Sequence, residues 1–259
     1  MKVVKLREQK NTRESGKKKS RKLRVLLIAL GVIVVASIVG FFWYVSIYYK
    51  ADELAYSRYQ QGQESGEIVV EGNLTTFLPD NGNGLGIIFY PGAKVEALSY
   101  TPLLDQLRER GFVVVLVEMP FHMAIFRMNA AEDVWKLIER NQIEALGEVE
   151  SWYMMGHSMG GAMASSYASS HQEKIDGLLL IGAYVYGEYP TKQALTIYGT
   201  WNANLEEYID YTDNIIIIEG GNHAQFGNYG KQAGDPDATI TDEEQQAITV
   251  EAIVEFIER

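Results

Sequence analysis

The possible folds are constrained most by one stretch of ten residues, 152–161, which reads WYMMGHSMGG. An apolar run breaks at Gly156, and small residues at helical spacing follow from Ala162 onward. This pattern predicts a buried strand, a tight turn and a helix. Glycines on both sides of Ser158 leave room for a strained turn that would lift the serine hydroxyl above the sheet. The first N–H groups of the helix would then point at any negative charge that develops there.

Several other short runs are apolar throughout, and helical patterns or turn residues separate them. These predicted strands are 85–90, 112–117, 178–181, 194–198 and 215–218, and 68–70 with 74–78 reads as a hairpin. Thr241-Asp242-Glu243-Glu244 is a capping box before a last helix. Apolar strands that alternate with helices predict an α/β fold with a mostly parallel central sheet and helices on both faces.

The N-terminal part of the chain has the composition of a membrane anchor. Residues 25–49 contain no charged residue. This uncharged stretch is longer than the roughly 20 residues that a helix needs to cross a bilayer. Residues 1–24 form a basic head with a net charge of +9, so the positive-inside rule predicts a cytoplasmic head and an extracytoplasmic domain. A cleaved signal peptide is the alternative, but bulky aromatic residues occupy the place of a cleavage site. We therefore expect a single-pass signal anchor in the cell membrane.

The remainder of the chain has a different composition. The net charge is −11, so the residues after the basic head carry −20, which argues against a nucleic-acid partner. There is no cysteine, which excludes disulfides and thiolate metal sites. Residues 50–66 are polar and predict a stalk, and residues 67–259 predict the folded domain.

The histidine best placed for catalysis is His223, one of four in the chain. It lies in a glycine-rich loop directly after the last apolar run, and the carboxyl ends of parallel strands are where open α/β sheets build their sites. His157, inside the turn, is interpreted as part of the turn's architecture. The alternative interpretation for Ser158 is a glycine-rich turn with an incidental serine, and the alternative for His223 is a loop histidine on the surface.

A tetrahedral intermediate on Ser158 would need two N–H groups to bind its oxyanion. One should come from Met159, the residue after the nucleophile, and the other from the loop after strand 85–90. Ala93 is the best candidate in that loop, with Lys94 next, because Pro91 has no N–H to donate.

Four blocks of the sequence together resemble the α/β-hydrolase superfamily. They are Gly156-His157-Ser158-Met159-Gly160-Gly161, Tyr90-Pro91-Gly92-Ala93-Lys94-Val95, Met119-Pro120-Phe121 and Gly220-Gly221-Asn222-His223-Ala224-Gln225-Phe226-Gly227. More narrowly, residues 66–259 look like a branch of small bacterial hydrolases, often membrane-anchored and distantly similar to dienelactone hydrolases. The resemblance implies a Ser-His-acid hydrolase with Ser158 as nucleophile and His223 as base. It implies no metal and no organic cofactor, and its substrate would be a small-molecule or surface-presented acyl compound.

The sequence departs from the family pattern at the acid of the triad. The family has an aspartate where this chain has Asn202, in the segment Gly199-Thr200-Trp201-Asn202. Three interpretations stay open. Asn202 orients His223 by hydrogen bonding; or a nearby carboxylate replaces the acid, with Glu206 first and Glu207, Asp210 and Asp213 behind it; or the protein has little activity.

The rival function is a catalytically weak hydrolase-like domain, tethered to the membrane, that binds a surface ligand or partner. Acyl transfer to an acceptor other than water is a third possibility. Only 65 positions separate Ser158 from His223, so we expect a minimal lid or none. Tyr184, Tyr186, Tyr189 and Trp201 are candidate walls of an open pocket.

Overall fold

A computed structural model describes residues 2–202 and 204–259, with side chains for residue 22 and from residue 24 onward. The chain divides into two compact units, Met1–Ile47 and Tyr48–Arg259. The first unit is a single helix, α1 (Lys2–Ser46). The side chains of most of the predicted basic head lie outside the described residues.

Within α1, the segment Arg24–Ser46 is long and apolar enough to cross a membrane. It has 23 residues and a mean hydropathy of 3.0, and it is the one such segment in the described part of the chain. It corresponds to the predicted span 25–49 except at its end, because the helix stops at Ser46. A membrane anchor near the N-terminus is therefore compatible with the structure.

The second unit is built on an eight-stranded sheet. Its strands are β1 (Ile68–Glu71), β2 (Leu74–Phe77), β3 (Leu85–Tyr90), β4 (Val113–Val117), β5 (Ser151–His157), β6 (Gly177–Ile181), β7 (Ala194–Gly199) and β8 (Ile215–Ile218). Their order is β1-β2-β4-β3-β5-β6-β7-β8. β2 pairs antiparallel with both its neighbours, and every pair from β4 to β8 is parallel. The predicted fold class and the predicted strands are confirmed.

Six helices belong to this unit: α2 (Glu53–Ser65), α3 (Thr101–Glu109), α4 (Glu132–Glu139), α5 (Glu144–Gly147), α6 (Met159–Ser170) and α7 (Asp242–Ile257). Short 3-10 helices cover Ala97–Tyr100, Pro120–His122, Ala124–Arg127, Thr191–Gln193, Leu205–Tyr208 and Ala224–Phe226. The capping box at Thr241 is confirmed, since its hydroxyl accepts from the Glu244 N–H and the Glu244 carboxylate accepts from the Thr241 N–H. Between β6 and β8 the described residues form β7 and two 3-10 turns but no α-helix, which agrees with the prediction of a minimal lid or none.

The hydrophobic core lies on both faces of the sheet because successive strand residues point to opposite sides. Ile88 and Tyr90 of β3 pack on the face covered by α4 and α6, whereas Ile87 and Phe89 pack on the face covered by α3 and α7. Fully buried strands explain why the sequence shows continuous apolar runs rather than alternation.

The predicted stalk is wrong for most of residues 50–66. Residues 53–65 form α2, which packs against α3, β1 and the 3-10 helix before α3. Asp52 caps the helix by accepting from the Ala55 N–H, and Ala55 is fully buried. The polar composition of residues 50–66 predicted a stalk because only one narrow stripe of α2, which includes Ala55 and Gly62, faces the domain.

The folded domain begins at Tyr48, earlier than the predicted residue 67. Tyr49 pairs in parallel with Val95: its N–H donates to the Lys94 carbonyl, and its carbonyl accepts from the Glu96 N–H. The Tyr49 hydroxyl accepts from the Ala233 N–H at 3.0 Å. The tyrosines at the end of the predicted membrane span therefore belong to the domain.

Two substitutions in α2 distinguish a docked helix from a stalk. Ala55→Asp should destabilise the domain by about 3 kcal/mol, because it places a carboxylate at a fully buried position. Leu54→Asp is the matched control, because it adds the same charge to the same helical turn at a position that is 51% exposed. Chemical denaturation of the full chain measures the difference. Equal free energies of unfolding for the two variants would contradict the docking of α2.

Candidate active site

Ser158 lies on a sharp turn between β5 and α6, at the carboxyl edge of the sheet. Its backbone has φ 53° and ψ −123°, a conformation that a non-glycine residue adopts only when the surroundings enforce it. The Ser158 N–H donates to the Ile181 carbonyl of β6, and α6 begins at the next residue. The turn holds the serine where the predicted nucleophile elbow requires it.

The glycines around the turn allow backbones to approach closely. A Cβ on Gly160 would lie 2.2 Å from the Tyr90 carbonyl oxygen, and one on Gly156 would lie 2.6 Å from Gly160. Since no side chain fits at these distances, both positions require glycine. The start of α6 is thereby packed against the end of β3.

The two predicted oxyanion donors lie at loops that this contact brings together. Met159 is the first residue of α6, so its N–H has no intrahelical acceptor. In the loop after β3, the Gly92 N–H donates to Tyr100 Oη at 3.1 Å and the Lys94 N–H donates to the His122 carbonyl at 2.7 Å. Within the described residues, the Ala93 N–H has no hydrogen-bond acceptor. It is thus the donor of this loop that a ligand could use.

A buried hydrogen-bond network joins three loops of the site through His157. Its Nε2 lies 3.0 Å from the His223 carbonyl oxygen, which can only accept, so Nε2 carries the proton. Burial lowers the pKa of His157 well below its ordinary value, so the ring is neutral and Nδ1 accepts from Tyr100 Oη at 2.7 Å. Tyr100 Oη in turn accepts from Gly92. Each group in the network therefore has one defined proton position.

His223 follows β8 and is held by Asn202, which follows β7. Asn202 is only 8% exposed, and its Oδ1 lies 2.5 Å from His223 Nδ1. Because an amide oxygen only accepts, Nδ1 carries the ring proton and Nε2 keeps a lone pair. This is the tautomer that a general base on a serine needs.

Asp235 is a site residue that the sequence analysis missed. Its two carboxylate oxygens accept from the His223 N–H at 3.2 Å and from the Ala224 N–H at 2.8 Å. It reaches the site from an irregular loop that precedes α7. No local pattern predicts such a contact, although the Gly234-Asp235-Pro236 turn is a weak indication of an ordered loop.

Burial is the largest influence on the pKa of His223 and lowers it below the ordinary value, while the charge of Asp235 opposes this and raises it. His157 and His223 therefore both resist protonation in the folded state. The unfolded chain binds protons at these positions first as the pH falls below about 6.5. Their contribution makes folding stability decline on the acid side of that pH.

The alternative acids do not reach the histidine. Glu206, Glu207 and Asp210 are exposed, and among the described residues none of them forms a hydrogen bond with His223. Asp213 accepts from the Thr191 hydroxyl at 2.7 Å. Glu206 lines a separate cavity beside Trp201 and Asn202.

Ser158 and His223 line the same cavity, of about 440 Å³. Its other walls come from the start of α6, the loop after β6, the Leu205–Tyr208 turn and the Asp235 loop: they include Met159, Ala162, Ala183, Tyr184, Asn202, Leu205, Tyr208, Gln232 and Asp235. Tyr184 was predicted to line it, and its ring stacks on Tyr208 at 5.6 Å. Tyr186 is exposed, Tyr189 is part of the core and Trp201 lines the neighbouring cavity.

A sheet of this order, with a serine elbow after β5 and a histidine loop after β8, defines the class of α/β hydrolases. The Alpha/beta hydrolase family matches residues 86–247. The chain belongs to this family, which makes a hydrolase its general class.

Individual relatives are distant. A protein of Mycobacterium phage D29 that is named as a non-heme haloperoxidase is 27% identical over 105 residues, which are 39% of this chain and 37% of that protein. The chain thus spans little more than a third of that relative's length. Est1E from Butyrivibrio proteoclasticus has a TM-score of 0.50 at 15% identity, covering 74% of this chain and 98% of that one. A dienelactone hydrolase from Anabaena variabilis has a TM-score of 0.48 at 14% identity, covering 73% and 95%. At these identities the likeness to solved structures shows the fold alone.

The titration of His223 tests the electrostatics of the site. With four histidines in the chain, imidazole resonances can be followed by NMR as the pH is lowered. His223 should titrate below the ordinary value, and Asp235→Asn should lower its pKa further because the opposing negative charge is lost. Asp237→Asn is the control, since that carboxylate is exposed and paired with Lys231. An unchanged or higher pKa in Asp235→Asn would show that Asp235 does not act on the imidazole.

Proposed function

We propose that this protein is a serine hydrolase that cleaves a carboxylic ester or a related acyl bond through an acyl-enzyme on Ser158. The observation that carries the proposal is the shared cavity of Ser158 and His223, with His223 Nδ1 bound to Asn202 and Nε2 left as the base. The strained turn at Ser158 adds support, because strain of this kind is usually retained at functional sites.

The reaction would proceed in two halves. His223 Nε2 takes the proton of Ser158 Oγ as the oxygen attacks the acyl carbon, and the oxyanion is bound by the N–H groups of Met159 and Ala93. Collapse breaks the bond to the leaving group, which receives the proton from His223. Water then attacks the acyl carbon and gives a proton to the same Nε2. The second collapse breaks the bond between the acyl carbon and Ser158 Oγ, which takes that proton back as the acid leaves.

Asn202 and Asp235 would divide the task of the usual triad acid. Asn202 fixes the tautomer and orientation of His223 through the bond to Nδ1. It carries no charge to stabilise the imidazolium, and the charge of Asp235, fixed on the backbone of the same histidine, supplies part of that stabilisation. The exposed carboxylates of the Leu205–Tyr208 turn have no role in this mechanism.

The proposal places the domain outside the cell membrane. Arg24–Ser46 would be an uncleaved signal anchor, with the basic head in the cytoplasm by the positive-inside rule. Among the described residues, the segment between β6 and β8 adds only short turns beside the cavity, which suits small or surface-presented acyl substrates.

A fluorophosphonate probe tests the nucleophile in the full chain. The probe should label the folded protein at Ser158, and Ser158→Ala should abolish labelling and lower ester hydrolysis by at least about 10⁴-fold. Ser170→Ala is the control, because Ser170 is an exposed serine on the same helix. Equal labelling of Ser158→Ala, or no labelling of the folded wild-type chain, would contradict the proposal.

The rival function, a binding domain with little catalysis, is favoured by one observation, the neutral residue at Asn202. Asn202→Asp discriminates between the two. For a working hydrolase assisted by Asp235, the gain in kcat should be about 10-fold or less, and Asp235→Asn should lower kcat. A gain approaching 10⁴-fold from a background rate, the size of the opposite change in serine proteases, would favour the rival. Steady-state hydrolysis of a p-nitrophenyl ester by the wild-type chain, Asn202→Asp and Asp235→Asn measures both changes in kcat.

A further inference from the structure

Four large apolar side chains are exposed on one short loop of the domain, residues 120–128, which we name the apolar loop. It follows β4 and reads PFHMAIFRM, with Ile125 50%, Met128 43%, Phe126 48% and Phe121 40% exposed. The domain as a whole is acidic, yet this loop contains no acidic residue. Several large apolar side chains exposed together characterise surfaces that bind protein or lipid.

The backbone at the start of the apolar loop has a fixed conformation. Phe121 and His122 both have positive φ, 56° and 54°, which is unfavourable for residues with a side chain. Hydrogen bonds enforce the conformation: the His122 N–H donates to the Met119 carbonyl and the His122 carbonyl accepts from the Lys94 N–H. The conformation of Phe121 and His122 is therefore part of the fold.

The apolar loop is tied to the segment that follows the proposed anchor in sequence. The ring of Tyr48 stacks on the ring of His122, with centroids 3.9 Å apart. Tyr48 is the second residue after Ser46, where the apolar helix ends, and two residues span at most about 7 Å. If the apolar segment crosses a bilayer, Tyr48 lies at its outer surface, and His122 lies there with it.

We propose that the apolar loop inserts into the outer interface of the bilayer, with lipid as the partner of Ile125 and Met128. Lipid is favoured over a protein partner because the anchor, on which this inference rests, holds His122 permanently at the membrane surface. A short apolar insertion beside the anchor adds to membrane affinity in proportion to the area it buries.

The apolar loop bears on the site because it is hydrogen-bonded to the loop after β3. The His122 carbonyl accepts from the N–H of Lys94, the residue after the candidate oxyanion donor Ala93. The start of the apolar loop is thus linked directly to the loop of the proposed oxyanion hole. A membrane-borne acyl compound fits this arrangement better than one dissolved in the aqueous phase.

Single cysteines test the insertion directly, because the natural chain has none. The full chain is reconstituted at one copy per nanodisc of phosphatidylcholine and phosphatidylglycerol, with an NBD fluorophore at Ile125→Cys or, independently, at Met128→Cys. Nitroxide groups on the lipids should quench both probes severalfold more than they quench Asp237→Cys, a site exposed to water. Aqueous iodide should quench Asp237→Cys and spare both loop probes.

A probe at Val35→Cys, inside the apolar segment, separates the two proposals. Lipid quenching at Val35 without lipid quenching at either loop position would overturn the insertion and keep the anchor. No lipid quenching at Val35 would overturn the anchor and the insertion with it. If neither nitroxide nor iodide quenches the loop probes, protein covers the loop. If iodide quenches them, the loop is exposed to water. Either result overturns the proposal. Thermal melts of the labelled chains establish that each variant is folded.

Discussion

The site depends on the close contact between the start of α6 and the end of β3. Because Gly160 lies against the Tyr90 and Pro91 carbonyls, the first N–H groups of α6 and the loop that carries Ala93 meet at one edge of the sheet. The turn at Ser158, with its unusual backbone conformation, directly precedes this contact. A larger side chain at Gly160 would separate the candidate oxyanion donors as well as the two elements, so the proposed nucleophile and the proposed oxyanion hole depend on the same contact.

The buried His157 network extends this coupling to the histidine loop. Three hydrogen bonds connect the loop after β3 with the loop after β8: from the Gly92 N–H to Tyr100 Oη, from Tyr100 Oη to His157, and from His157 to the His223 carbonyl. If His157 were protonated, both its ring nitrogens would be donors, with Nε2 facing the His223 carbonyl and Nδ1 facing Tyr100 Oη. The Tyr100 hydroxyl could then no longer donate to Nδ1 and would have to accept from it. Burial prevents this by holding the ring neutral. The network therefore keeps one arrangement over the pH range in which His223 can act as a base.

The parts of the protein that were predictable from sequence are those that depend on local patterns. The strands, the serine turn, the capping box at Thr241 and the position of His223 each rest on consecutive residues whose spacing has a direct structural meaning. Docking of α2 was not predictable, because its contact stripe consists only of Ala55, Tyr59 and Gly62 within a polar helix. Asp235 was missed because it contacts His223 through carboxylate-to-backbone bonds from a separate loop, and spacing carries no information about such a contact.

The neutral amide at the acid position changes how the base would work. An aspartate beside Nδ1 would stabilise the imidazolium and raise the pKa of His223, so that less of the ring would be in the basic form near neutral pH. Asn202 adds no such charge, and burial keeps the pKa of His223 below its ordinary value, which favours the unprotonated ring. In the proposed mechanism the chain would gain in the population of the reactive form and lose in stabilisation of the transition state. Asp235 would limit that loss, because its negative charge favours the protonated ring of His223.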